Sequence, residues 1–156
     1  MNYEVFVRDF AKRTQENLEL LKQIQKEKPN YKVYEVTQLI NSLLGLLIFP
    51  KESFYLKIPK TSLETLRKEG WPIPQSSKPD LEAKNLKDLL RRMRNATAHC
   101  LVEAVDSKHD ETISGLRLWS GRNGSTRWEI VFTTEELEIF TQKFIALIDN
   151  QLGWSV

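Results

Sequence analysis

The chain has 156 residues and a formal net charge of +2, which fits one domain with its own core and is too weak a charge to announce nucleic acid by itself. With 40% hydrophobic and 28% charged residues, it falls outside the disordered, collagen-like and low-complexity classes. Its longest apolar run, Leu43 to Phe49, is interrupted by Gly45 and closed by Pro50, so a membrane span of about 18 residues is not expected.

In chain order, Tyr3 to Lys28 has few breakers and a loose apolar stripe through Val5, Phe6, Phe10, Leu18, Leu21 and Ile24, which predicts a long amphipathic helix ending at Pro29. The next stretch, Tyr31 to Phe49, is apolar nearly all round and predicts the most buried helix. Residues 50 to 80 carry five prolines and read as irregular. One short helix is expected within them, over Thr61 to Glu69, with Thr61 as N-cap, Glu64 completing a capping box and Gly70 as the stop. A further helix is predicted from Pro79 or Asp80 to about Cys100. The pattern then alternates: Ile113 to Ser120 and Arg127 to Thr133 are strand-like about a GRNGST turn, and Val102 to Val105 offers a third short strand. Thr133-Thr-Glu-Glu136 is a capping box that opens a last helix, carried by apolar residues to Gly153. The expected fold is mainly α: one domain over residues 1–156, an antiparallel bundle of about four helices with a β-hairpin at 113–133 inserted before the last.

Glu4 and Asp9 fall where a signal peptide would be apolar, and the single cysteine, Cys100, has no internal partner, so a reducing cytoplasmic location without membrane association is expected. Sequence motifs for zinc, for phosphate loops and for dinucleotides are absent, and neither metal nor cofactor is expected.

The helix ending near Cys100 is the segment richest in chemistry. With Leu86 at the origin and about 100° per residue, Leu89, Leu90, Met93, Ala96, Thr97, Cys100 and Leu101 lie within about 80° of one line, the core face. His99 falls near 220°, about opposite, with Asn95, Arg91 and Arg92 on that far side and Arg94 on the flank at about 80°. This geometry argues against a core histidine and, taken alone, favours an ordinary solvated helix face. Core packing is the expected role of Cys100, since neighbouring side chains diverge by about 100° and do not form a Cys–His pair.

The string Arg94-Asn95-Ala96-Thr97-Ala98-His99 resembles the R-N-x-x-x-H signature of the HEPN family, small helical proteins of which many are metal-independent endoribonucleases acting as dimers. The second helix, YEVTQLINSLLGLLIFPKE, is similar to the corresponding region of small bacterial HEPN-type nucleases found in mobile or defence contexts. The hairpin is not part of the common HEPN core. The resemblance implies RNA as substrate, a homodimer, a toxin or phage-defence role, and an antitoxin or a nucleotidyltransferase as partner. In that reading His99 is the general acid or base, Arg94 stabilises the phosphate and Asn95 supports them. The residue types suit the task, because imidazole exchanges protons near neutral pH and guanidinium offers phosphate a fixed fork of donors. Arg91 and Arg92 on the polar face, with Arg122 and Arg127 beside the hairpin turn, are candidate substrate contacts; Trp119 and Trp128 are either base-stacking or cross-strand packing residues. Two other readings stand: a non-catalytic HEPN module that binds nucleotide or a partner, and a helical interaction protein in which the motif is coincidence.

Overall fold

The breaker-free start of the chain folds as α1 (Tyr3–Glu27) and stops just short of Pro29, which lacks the backbone donor a helix needs. The computed structural model describes residues 3–50, 52–74, 81–107, 112–122 and 125–150. The inner face of α1 buries Val7, Ala11 and Thr14, at the three- and four-residue spacing of one helical stripe.

Helix α2 (Glu35–Ile48) begins later than Tyr31, the expected start, and packs on α1 and on two later helices. It buries Leu39, Leu43, Leu46 and Leu47, but Ile48 and the following Phe49 are exposed, so it is not covered all round. Phe49 closes an aromatic cluster with Phe10 at 4.7 Å and Phe6 at 6.0 Å between ring centres.

The proline-rich segment holds two short helices where one was expected. Helix α3 (Glu52–Lys57) was not anticipated, being too short to show a period. Helix α4 (Leu63–Lys68) is capped by Ser62, whose Oγ accepts from the Thr65 amide at 3.1 Å, not by Thr61, and the expected box with Glu64 does not form. Gly70 does stop it, with φ of 79°. Helix α5 (Leu86–Ala98) starts well after Asp80: Asn85 is the N-cap, its side chain accepting from the Asp88 amide at 3.0 Å.

The insertion is a three-stranded antiparallel sheet in the order β1 (Val102–Asp106), β2 (Ile113–Arg122), β3 (Ser125–Thr133), so a hairpin alone is too small a description. Its inner face buries Leu116, Leu118, Trp128, Ile130 and Phe132 toward α5 and the last helix. Gly115 lets β2 lie close to β3, since a Cβ there would come within 2.2 Å of the Phe132 carbonyl oxygen. The capping box at the start of α6 (Thr134–Asn150) forms as the sequence predicts: the Thr133 amide donates to Glu136 at 2.8 Å, and the Glu136 amide to Thr133 Oγ1 at 3.2 Å. The expected extension to Gly153 lies outside the described residues. Arg8 pairs with Asp149 at 2.7 Å and Lys22 with Glu138, which sets α1 and α6 antiparallel. The described chain is therefore mainly helical, with six helices and a small antiparallel sheet around one contiguous core. No described helix is long and apolar enough to cross a membrane.

Candidate functional site

The end of α5 determines where the candidate residues point. The Cys100 amide donates to the Thr97 carbonyl at 3.1 Å and the Leu101 amide to the Ala96 carbonyl at 2.8 Å, with Cys100 left-handed at φ 55°. This is a Schellman stop with cysteine at the position glycine usually takes. It ends the helix at Ala98, makes His99 the C-cap and corrects the expectation for Cys100. The cysteine leaves the apolar stripe and is exposed, because the backbone reverses hand there. Of the stripe, Leu86, Leu89, Leu90, Met93 and Ala96 are buried as the periodicity predicts, and Leu101, past the stop, is half-buried. Thr97 is half-buried and turns its hydroxyl back to the Met93 carbonyl at 2.9 Å.

His99 and Asn95 are both exposed, one turn apart, and the His99 amide donates to the Asn95 carbonyl at 3.0 Å. Neither side chain makes a hydrogen bond or ion pair among the described residues. Arg94, on the flank, is half-buried with its guanidinium 5.1 Å from the centre of the Tyr55 ring. Tyr55 is itself buried on α3 and anchored by its hydroxyl, which donates to the Leu47 carbonyl at 2.6 Å. A cation over a ring contributes about 0.5–2 kcal/mol, so the contact holds Arg94 at the mouth of the α2–α3 corner. Sequence reasoning missed Tyr55, and no spacing signal marks it, because the contact joins two elements across an irregular segment.

The surrounding arginines divide by what they touch. Arg92 donates to the Leu81 carbonyl at 2.8 Å, pairs with Asp88 at 3.0 Å and lies 5.9 Å from the Trp128 ring centre. It clamps the segment before α5 to the sheet. Arg91 and Arg127 are exposed. Arg122 closes β2, and its side chain lies outside the described residues. Arg117 on the outer sheet face pairs with Glu103 at 2.8 Å and Glu129 at 2.9 Å, and it covers Trp119 at 4.9 Å. The hydrogen bonds it donates to Glu103 and Glu129 hold its pKa above the ordinary arginine value. Trp128 is buried on the inner face, a core residue and not a stacking platform; Trp119 is only half-buried. The Trp119 amide donates to the Leu101 carbonyl at 3.1 Å, which ties β2 to the chain just after His99.

The C-terminal end of α5 thus brings Asn95 and His99 to one exposed surface with Arg94 beside it, and leaves Arg92 in a structural contact. The arrangement offers one imidazole, one amide and one cation, the groups that proton transfer at a phosphodiester uses. Among the described residues no three His, Cys, Asp or Glu side chains are grouped so as to hold a metal ion.

No curated protein and no solved structure matches the chain. The family model HEPN pEK499 p136 matches residues 1–153. With Asn95 and His99 of the R-N-x-x-x-H string exposed at the end of α5 and a match over almost the whole length, the chain belongs to the HEPN pEK499 p136 family, which fits a nuclease-like or nucleotide-binding module.

Proposed function

We propose that the protein is a metal-independent endoribonuclease working as a homodimer. The carrying observation is the exposure of His99 and Asn95 at the capped end of α5, with Arg94 held beside them by Tyr55. In the proposed reaction the ribose 2′-oxygen attacks phosphorus as a base takes its proton. The 5′-oxygen leaves with a proton from an acid, giving a 2′,3′-cyclic phosphate and a 5′-hydroxyl. His99 takes the acid or base role, Arg94 neutralises charge on the phosphate, and Asn95 orients the imidazole or the RNA. Arg91 and Arg127 are the exposed candidates for further phosphate contacts.

A second copy supplies what one helix lacks. Positions five apart diverge by about 140° on a helix, so Arg94 and His99 of one chain do not face a single phosphate squarely. Two chains related by a two-fold axis place two such pairs around one cleft. Exposed apolar residues lie on the neighbouring elements: Ile48 and Phe49 follow the Leu47 carbonyl that accepts from Tyr55, and Phe6 packs on Phe49. That surface is the proposed contact between copies. The cellular setting suggested by the family likeness is a toxin or phage-defence nuclease, with an antitoxin or nucleotidyltransferase as partner.

The test is cleavage of RNA by wild type and His99→Ala in excess EDTA, with end-group analysis. Cleavage by wild type alone, leaving cyclic phosphate and 5′-hydroxyl ends, is the expected result; equal cleavage by both removes His99 from the reaction. A non-catalytic nucleotide- or partner-binding module is the second reading. The engagement of Arg92 and Arg117 in ion pairs favours it, since each leaves one less cation for RNA.

A further inference from the structure

A cleft of about 460 Å³ opens between the second half of α1, the first turns of α2 and α6 from Thr134 to Ala146. It contains none of the motif residues and stands apart from the nuclease reading. Its floor is apolar, with Leu39 and Ile145 buried and Leu18 half-buried. Its rim is acidic, with Glu19 from α1, Glu35 from α2, and Glu135 and Glu138 from α6, against a single cation, Lys22. Lys22 is bonded to Glu138, whose same oxygen also accepts from the Gln142 amide at 3.1 Å. An alkyl ammonium of the protein itself therefore already sits on one cleft carboxylate.

Glu19, Glu35 and Glu135 have no cationic partner among the described residues; the first two meet only neutral amides, Glu19 accepting from Gln15 at 2.9 Å and Glu35 from Gln25. The starts of α2 and α6 bring about half a positive charge each, which leaves the lining clearly negative in a chain whose net charge is +2. The three carboxylates stand on three different helices and do not converge into a cage for a compact metal ion. A ligand that fits must distribute several positive charges along a chain and lay apolar spacers on the floor between them. We propose that this cleft binds a linear aliphatic polyamine, with its ammonium groups on Glu19, Glu35 and Glu135 and its methylenes over Leu18, Leu39 and Ile145. The volume lies within the range of roughly 300–1,000 Å³ usual for small-ligand sites.

The test is calorimetric titration of the full chain with spermidine at low salt, beside hexaamminecobalt(III), which has equal charge and no methylenes. Saturable one-to-one binding of spermidine, clearly tighter than the cobalt complex, is expected. Glu19→Gln and Glu135→Gln should each weaken it by about two- to fivefold, the range of one exposed ion pair. Lys22→Met frees Glu138 and should tighten binding. Circular dichroism of each variant checks that the fold is intact. Equal affinity for both cations, indifference to the carboxylate changes, or the absence of saturable heat would each overturn the proposal.

Discussion

Replacing Cys100 by glycine should stabilise the protein, and the size of the gain follows from the helix stop. A side chain in the left-handed region costs about 1–2 kcal/mol, because its Cβ crowds the following carbonyl. Cys100 has φ of 55° and an exposed side chain, so little packing offsets that cost. Glycine removes the crowding but adds about 0.5–1 kcal/mol of unfolded-chain freedom. The net expectation for Cys100→Gly is a gain of about 0.5–1 kcal/mol, or about 1–4 °C in Tm for a domain of this size. Cys100→Ala keeps the crowding and should leave Tm nearly unchanged, whereas the β-branched Cys100→Val should lower it. Calorimetric melting of the three variants orders them Gly above Ala above Val. A lower Tm for the glycine variant would refute the Schellman stop, and with it the placing of His99 as an exposed C-cap. Because the thiol has no role in the proposed chemistry, Cys100→Gly should also cleave RNA as wild type does.

Tyr55→Phe removes a buried donor from the Leu47 carbonyl and should cost about 1–3 kcal/mol, read in urea melts; its ring remains under Arg94, so RNA cleavage by the folded protein should be unchanged. Tyr55→Leu removes the ring as well, and kcat should fall several-fold. Gly115→Ala forces a Cβ to within 2.2 Å of a backbone oxygen, so the β2–β3 pair must part, and equilibrium unfolding should show a loss of about 2 kcal/mol or more. Thr133→Ala deletes one bond of the capping box and should cost about 1 kcal/mol in the same assay.

What could be read in advance was what local sequence determines. The capping box at Thr133 and Glu136, the stripe from Leu86 to Ala96 and the Gly70 stop depend on residues within a turn of each other, and all three formed as expected. The errors in the fold fall at helix ends and in an element too short to show a period. Ser62 displaced Thr61 as cap although both are good cap residues, and α3 is too short for periodicity to show. Cys100 fits the apolar stripe by angle, but the helix ends before reaching it. In the candidate site the exposure of His99 and Asn95 was legible as a helix angle. The tie between Arg94 and Tyr55, and the capture of Arg92 by Asp88 and Leu81, were not. Those contacts join residues far apart in sequence or depend on a rotamer.

The same angular argument makes the dimer the quantity on which the proposed activity turns. If each cleft takes its cation from one chain and its imidazole from the other, Arg94→Ala and His99→Ala are separately inactive but complementary. Random exchange between the two variants makes about half of the dimers mixed. Each mixed dimer keeps one Arg94 and one His99 on opposite chains, so the mixture should regain cleavage that neither variant shows alone. Phe49→Glu places a charge in the exposed apolar surface proposed as the contact between copies, and should both lower the sedimentation mass and abolish the regain. Mixed dimers demonstrated by mass but silent toward RNA would refute a cleft that needs only one arginine and one histidine. A fully active Phe49→Glu monomer would refute the shared cleft itself and return the chemistry to the end of a single α5.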